Sequence, residues 1–122
     1  MANQIVWCDI PVTDLDRGIR FYSALLGHAA KKQEYPGFAI GLLPGGGPDS
    51  SGCLYMPEGS ENKPGAAGPL VYFNCSGRLD DAIAQTESHG GKVVHAKHQI
   101  GEHGFRAVIL DSEGNRIALH SM

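Results

Sequence analysis

The sequence predicts an α+β fold built from two βαβββ modules, and three observations predict it. Residues 5–27, IVWCDIPVTDLDRGIRFYSALLG, pass from period-two alternation to a helical stripe and close on glycine. A weaker copy begins near Leu70: IPVTDLDRGIRFY lines up with FNCSGRLDDAIAQ, which sets Leu15 and Leu79 64 positions apart. Between the copies lies PEGSENKPGAAGP, low in apolar bulk and rich in Gly and Pro, as a linker is. An internal repeat carries architectural weight because each half leaves a sheet face open that its twin can cover.

In the first copy, Val6, Cys8, Ile10 and Val12 alternate with Trp7, Asp9 and Pro11, which gives a strand with one aliphatic and one mixed face. Thr13 or Asp14 then offers a side-chain oxygen to the first free amides of a helix. Leu15, Ile19, Tyr22 or Ser23, and Leu26 follow at helical spacing, with Phe21 and Leu25 widening the stripe and Asp16, Arg17 and Arg20 facing away. Gly27 stands where a helix takes a left-handed terminal residue. His28–Tyr35 reads as a short strand or hairpin arm, Pro36-Gly37 as a turn, Phe38–Leu43 as a third strand and Gly52–Met56 as a fourth. The intervening Gly45-Gly46-Gly47-Pro48 loop has no Lys-Ser/Thr ending and so makes a poor phosphate cradle.

The second copy keeps this order. Leu70–Cys75 is a strand, and Leu79–His89 is a helix with Leu79, Ile83 and Thr86 or Glu87 along its length. Gly90-Gly91 closes it, Lys92–His98 is the next strand, and Gly101–Gly104 is a loop. Phe105–Leu110 and Arg116–His120 are strands joined by the DSEGN turn, whose Asx chemistry suits a tight reversal. In the last strand Ile117 and Leu119 share one face, Ala118 and His120 the other.

A chain of 122 residues is one domain's worth, with half-modules at 1–57 and 69–122 and a linker at 58–68. The net charge of −3 leaves no basic patch, which argues against nucleic acid as a partner. No apolar run reaches membrane-spanning length and the start lacks a signal peptide's pattern, so a cytoplasmic protein is expected. Cys8, Cys53 and Cys75 are odd in number, lie in strand patterns and form no CxxC, and they read as reduced thiols.

The stretches IPVTDLDRGIRFYSALLG and IGEHGFRAVILDSEGNRIALHS together resemble the vicinal oxygen chelate superfamily of glyoxalase I, extradiol dioxygenases, fosfomycin-resistance enzymes and bleomycin-resistance proteins. The GxLVYxN and IGExGF segments are similar to its uncharacterised glyoxalase-related branch. The resemblance implies paired βαβββ modules forming a curved mixed sheet, the glyoxalase/bleomycin-resistance fold, with a pocket inside the curve and a homodimer. In metal-using members, four inward side chains bind an ion that activates neighbouring substrate oxygens. Carried over, those positions are Trp7, seven residues before Asp14; Leu54 or Tyr55; Leu70 or Val71; and Ala118. Alternation favours Leu70, since Val71, Phe73 and Cys75 then form the aliphatic back face. None is an ordinary metal ligand, Tyr55 being at best a poor one, so no metal and no other cofactor is expected.

The concave face should instead carry Trp7, Asp9, Tyr72, Asn74, Ala118 and His120, an aromatic floor with a few polar groups, as small-molecule sites have. Asp9 and His120 are candidates for an acid–base pair, against the plainer reading of a backbone-bonded Asp and a solvated terminal His. Glu102 and His103 sit in a glycine-bounded loop that would touch ligand, or form an ordinary charged turn. Candidate catalytic residues are therefore Asp9, Glu102 and His120, and candidate ligand-binding residues are Trp7, Tyr55, Tyr72, Asn74 and His103. Alternation leaves the side of Arg106 open. His95 and His98, three apart on a strand, are expected to face opposite ways, which is wrong for a shared ion; His98, His103 and His120 could still meet through the loop.

Two classes of function follow. One is a metal-independent lyase-, isomerase- or hydrolase-like enzyme acting on a carbonyl substrate. The other is a non-catalytic protein that sequesters a small organic ligand in an aromatic cleft, as bleomycin-resistance proteins do. Metal-dependent glyoxalase or dioxygenase chemistry is a third reading, and it requires an ion.

Overall fold

Alternation over the first strand gives β1 (Trp7–Pro11), and the stripe after it gives α1 (Leu15–Leu26). β2 (Lys31–Tyr35), β3 (Phe38–Leu42) and β4 (Ser51–Tyr55) complete the first module. β5 (Val71–Asn74), α2 (Leu79–Ser88), β6 (Lys92–Gln99), β7 (Phe105–Leu110) and β8 (Arg116–Ser121) make the second. The computed structural model describes residues 3–45, 50–59 and 62–122; part of the glycine-rich loop and of the linker lies outside them.

Hydrogen bonds join the strands into two mixed four-stranded sheets, ordered β1-β4-β3-β2 and β5-β8-β7-β6. In each sheet the first strand of the module lies parallel to its last, and the other pairs are antiparallel. Close approach in the first sheet depends on Gly52. A Cβ there would lie 2.3 Å from the Cys8 carbonyl oxygen, so any side chain would force β1 and β4 apart.

Asp14, and not Thr13, caps α1: its carboxylate accepts from the Arg17 amide at 3.0 Å. Gly27 ends the helix at φ 72°, in the left-handed region that residues with a Cβ avoid. Leu15, Phe21, Tyr22 and Leu25 are buried along one side of α1, each stabilising the fold by roughly 1.5–3 kcal/mol. α1 packs on β3 and β4, α2 packs on β6, β7 and β8, and the two helices meet. One continuous core, with Leu54, Leu79, Ile109 and Leu119 among its members, runs through both modules.

The modules are fastened at both ends of α1. At its start, Glu113 of the β7–β8 turn accepts from Thr13, Asp14 and Arg17, the last through Nε at 2.7 Å. At its end, Arg78 donates to the Leu25 carbonyl at 2.5 Å, which satisfies one of the helix's unpaired acceptors. The linker is tied down as well: the Gly65 amide donates to Asn115 and Arg116 donates to the Ala66 carbonyl.

One expectation fails on β6. His95 and His98 do not point apart; their ring centroids are 6.4 Å from each other. The pairing of β6 with β7 shifts register between Val93 and His95 and again between His95 and His98. Each extra residue breaks the period of two, so an odd spacing returns both imidazoles to one side.

Candidate functional site

The helices cover one face of each sheet, and the opposite faces are open. Trp7, Asp9, Cys53, Leu42, Tyr55 and Ile40 share the open face of the first sheet, as the registers Asp9↔Cys53↔Leu42 and Pro11↔Tyr55↔Ile40 require. Trp7 is 43% exposed and donates its indole N–H to the Asp9 carboxylate at 3.0 Å. Cys53 donates to the same oxygen at 3.3 Å. Burial, then the hydrogen bond to Asp9, pushes the Cys53 thiol up to about 11. Beside this group a shallow pocket of about 480 Å³ opens between Asp9, Phe38, Ile40, Tyr55 and Met56. Asn62 of the linker donates to the Tyr55 hydroxyl.

The open face of the second sheet is polar. Asn74, His120, Arg106 and His98 are register partners on β5, β8, β7 and β6, so they form one row across all four strands. Tyr72, Ala118, Val108 and His95 form the next row. Arg106 donates from Nε to His98 Nε2 at 3.1 Å and from Nη1 to the Tyr72 hydroxyl. His98 Nδ1 lies 2.9 Å from the Ala96 carbonyl; since that oxygen only accepts, the proton is on Nδ1 and Nε2 is the acceptor that Arg106 needs. His120 donates from Nε2 to the His103 carbonyl at 2.6 Å, and its ring stands 6.2 Å from that of Tyr72.

The sequence-derived candidates therefore divide. Trp7, Asp9 and Tyr55 stand on the first sheet, while Tyr72, Asn74 and His120 stand on the second. No hydrogen bond joins Asp9 to His120 among the described residues, since each has other partners. Glu102 and His103 are exposed in a 3₁₀ turn at Gly101–His103. Only the main chain of His103 reaches the row, through its carbonyl. Ala118 shares the open face but is fully buried in it. Asn74 uses its side-chain oxygen on the Ser76 amide, closing an Asx turn at the strand end.

The residue that sequence reasoning left undecided, Arg106, lies at the centre. A signal for it existed: once the DSEGN turn pairs Leu110 with Arg116, counting four steps back and four forward sets Arg106 opposite His120. The β6 bulges that bring in His98 and His95 had no such signal.

The four positions onto which the resemblance carries the metal ligands can be tested by their donors. Tyr55 takes the open face while Leu54 is buried in the core. Tyr72 pairs with Ala118, so Leu70 has the parity of that face. The set is then Trp7, Tyr55, Leu70 and Ala118, which offers one phenol and no carboxylate, imidazole or thiolate, and does not fit a divalent ion. Among the described residues no three His, Cys, Asp or Glu side chains converge. A second pocket, about 500 Å³ between Thr13, Met56, Pro57, Lys63 and Glu113, adjoins the first at Met56 and Pro57, and its carboxylate is spent on α1.

The family model described as "Glyoxalase/Bleomycin resistance protein/Dioxygenase superfamily" matches residues 4–119. Among solved structures, a glyoxalase/bleomycin resistance protein from Albidiferax ferrireducens superposes with TM-score 0.75 at 19% identity, over 98% of this chain and 100% of that one. A glyoxalase-related enzyme from Fulvimarina pelagi gives 0.73 at 14% identity, over 98% and 88%. A glyoxalase I variant from Zea mays gives 0.72 at 21% identity, over 95% of this chain and 45% of that longer one. No curated protein matches the chain. At these identities the structural likeness speaks for the fold alone.

Proposed function

This chain belongs to the glyoxalase/bleomycin resistance protein/dioxygenase superfamily, and from that premise we propose that it is a small-molecule-binding protein that works without the superfamily's metal centre. The observation that carries the reading is the donor set at Trp7, Tyr55, Leu70 and Ala118, which has no group able to hold a divalent ion in the ordinary way. What these faces offer instead is aromatic surface, Trp7 and Phe38 on one sheet and Tyr72 on the other, with polar groups set among it. The ligand is sequestered, in the manner of a resistance protein, and not turned over. The exposed aromatic residues of the first sheet's open face, Trp7 and Phe38, are what a second copy would cover, and the working form in this reading is a homodimer. Three free thiols suit a reducing compartment, the cytoplasm.

A second reading, a lyase- or isomerase-type enzyme on a carbonyl substrate, draws on one observation. Asp9 and His120 each stand on an open face, so two copies stacked face to face would supply an acid–base pair that one copy lacks.

The test is metal content per chain. Untagged protein is offered nickel, cobalt, manganese, iron and zinc in turn and then dialysed. The expected result is no retained ion with any of them, alongside upward shifts in melting temperature with members of an organic-ligand panel. One ion held per chain would overturn the reading.

A further inference from the structure

Arg106 differs from Arg17 and Arg78, the two arginines that form ion pairs among the described residues. Arg17 pairs with Glu113 at 2.7 Å and Arg78 with Asp81 at 2.6 Å, whereas Arg106, half-buried at the centre of an open sheet face, forms no ion pair among the described residues. Its partners are neutral and fix its plane. His98 takes Nε with a ring locked by the Ala96 carbonyl, and Tyr72 takes Nη1. Only two of the guanidinium's five N–H groups are so engaged, and the others have no partner among the described residues. Two neighbours add free donors. The Tyr72 hydroxyl accepts from Arg106, which leaves its own proton to give away. Asn74 has spent its oxygen on Ser76 and keeps its amide N–H groups. His120 donates to a carbonyl, and His95 stands beside His98. Glu102, on the adjoining turn, is exposed and makes no ion pair with Arg106.

A half-buried, permanently charged guanidinium held in place by neutral groups, with the Tyr72 hydroxyl and the Asn74 amide as free donors beside it, is built to take an anion. We infer that Arg106, Tyr72 and Asn74 form a seat for the carboxylate or phosphate of a small organic acid, whose flat part rests on the exposed ring of Tyr72. This deepens the small-molecule reading above and rests on it. Pre-organisation is the physical reason to expect selectivity, since His98 and Tyr72 have already fixed the fork before the ligand arrives.

The test is calorimetric titration of the full-length protein at low ionic strength with benzoate, phenyl phosphate and, as the uncharged control, benzyl alcohol. At least one anion should bind about tenfold more tightly than benzyl alcohol, and comparison of the two anions tells carboxylate from phosphate. Arg106→Gln should abolish that preference, and Arg106→Lys, which keeps the charge but not the fork, should keep part of it. Should Arg106→Gln fail to fold, the histidine ring-proton resonances of the wild-type protein read the same contact: those of His98 and His120 should move with the anions and not with benzyl alcohol. Equal affinity for benzoate and benzyl alcohol, anion binding unchanged in Arg106→Gln, or no binding of either anion would each overturn the seat. The first of these leaves the small-molecule reading intact, whereas a retained metal ion would remove that reading whatever the anions do.

Discussion

The hydroxyl of Tyr22 donates to the carboxylate of Asp111 at 2.5 Å, and both residues are buried. Tyr22 lies in the helix of the first module and Asp111 opens the last turn of the second. Asp111 also accepts from the amides of Glu113 and Asn115 and from the Asn115 side chain, so a single carboxylate shapes the turn and holds it to the helix. Burial and the nearby carboxylate raise the Tyr22 phenol well above its ordinary value, and it stays a donor throughout the working pH range.

Tyr22→Phe removes that donor and leaves the ring in place. The cost expected is about 1–3 kcal/mol, read as a lower urea midpoint at unchanged slope. Loss of less than a few tenths would mean that the contact contributes nothing.

Glu113 gives a pH signature. Burial alone would raise its carboxyl, but hydrogen bonds from Arg17, Thr13 and Ser112 outweigh this and hold it down, from 4.5 to about 2. A depressed folded-state value contributes stability that is complete above the unfolded value and is lost as pH falls toward the folded one. Wild-type protein should therefore lose roughly 2 kcal/mol between pH 5 and pH 2 that Glu113→Gln does not lose, allowing for screening at the half-exposed Arg17. Parallel stability curves for the two proteins would contradict this.

Cys53 should be a poor nucleophile. With its thiol pushed up to about 11, on the order of one molecule in a thousand is thiolate at pH 8. Alkylation by iodoacetamide should be slow at neutral pH and climb steeply above pH 10; fast labelling at pH 7, located by peptide mapping, would contradict the burial on which this rests.

Gly27→Ala should lower the melting temperature, at a cost of about 1–2 kcal/mol, because φ there is 72°. The new Cβ would also stand 2.9 Å from the guanidinium of Arg78, which caps the same helix end. Arg78→Ala in the Gly27→Ala background tells the two causes apart: strain at φ remains, and the clash does not.

How much of this was legible beforehand differs by residue. Asp14 and Gly27 announce the ends of α1 because capping and left-handed backbone select for residue type. The faces shared by Trp7 with Asp9 and by Tyr72 with Asn74 follow from alternation alone. The sides taken by His95 and His98 do not, because a bulge changes parity without changing composition. The Asp9–His120 pairing was plausible by parity and is absent from the single chain because the two strands belong to different sheets, a matter of module packing that no local pattern encodes.

The outer rims of the two sheets have a consequence for self-association. β2 and β6 are two of the four edge strands, β1 and β5 being the others, and an unpaired edge invites another strand to add to it. β2 meets that hazard with Lys31, Lys32 and Glu34 in five exposed residues, and β6 meets it with its two bulges and with Lys92 and Lys97. Strand-by-strand growth into fibres is thereby discouraged at these two rims. The same irregularity that swings a histidine onto the open face also guards that rim against strand addition.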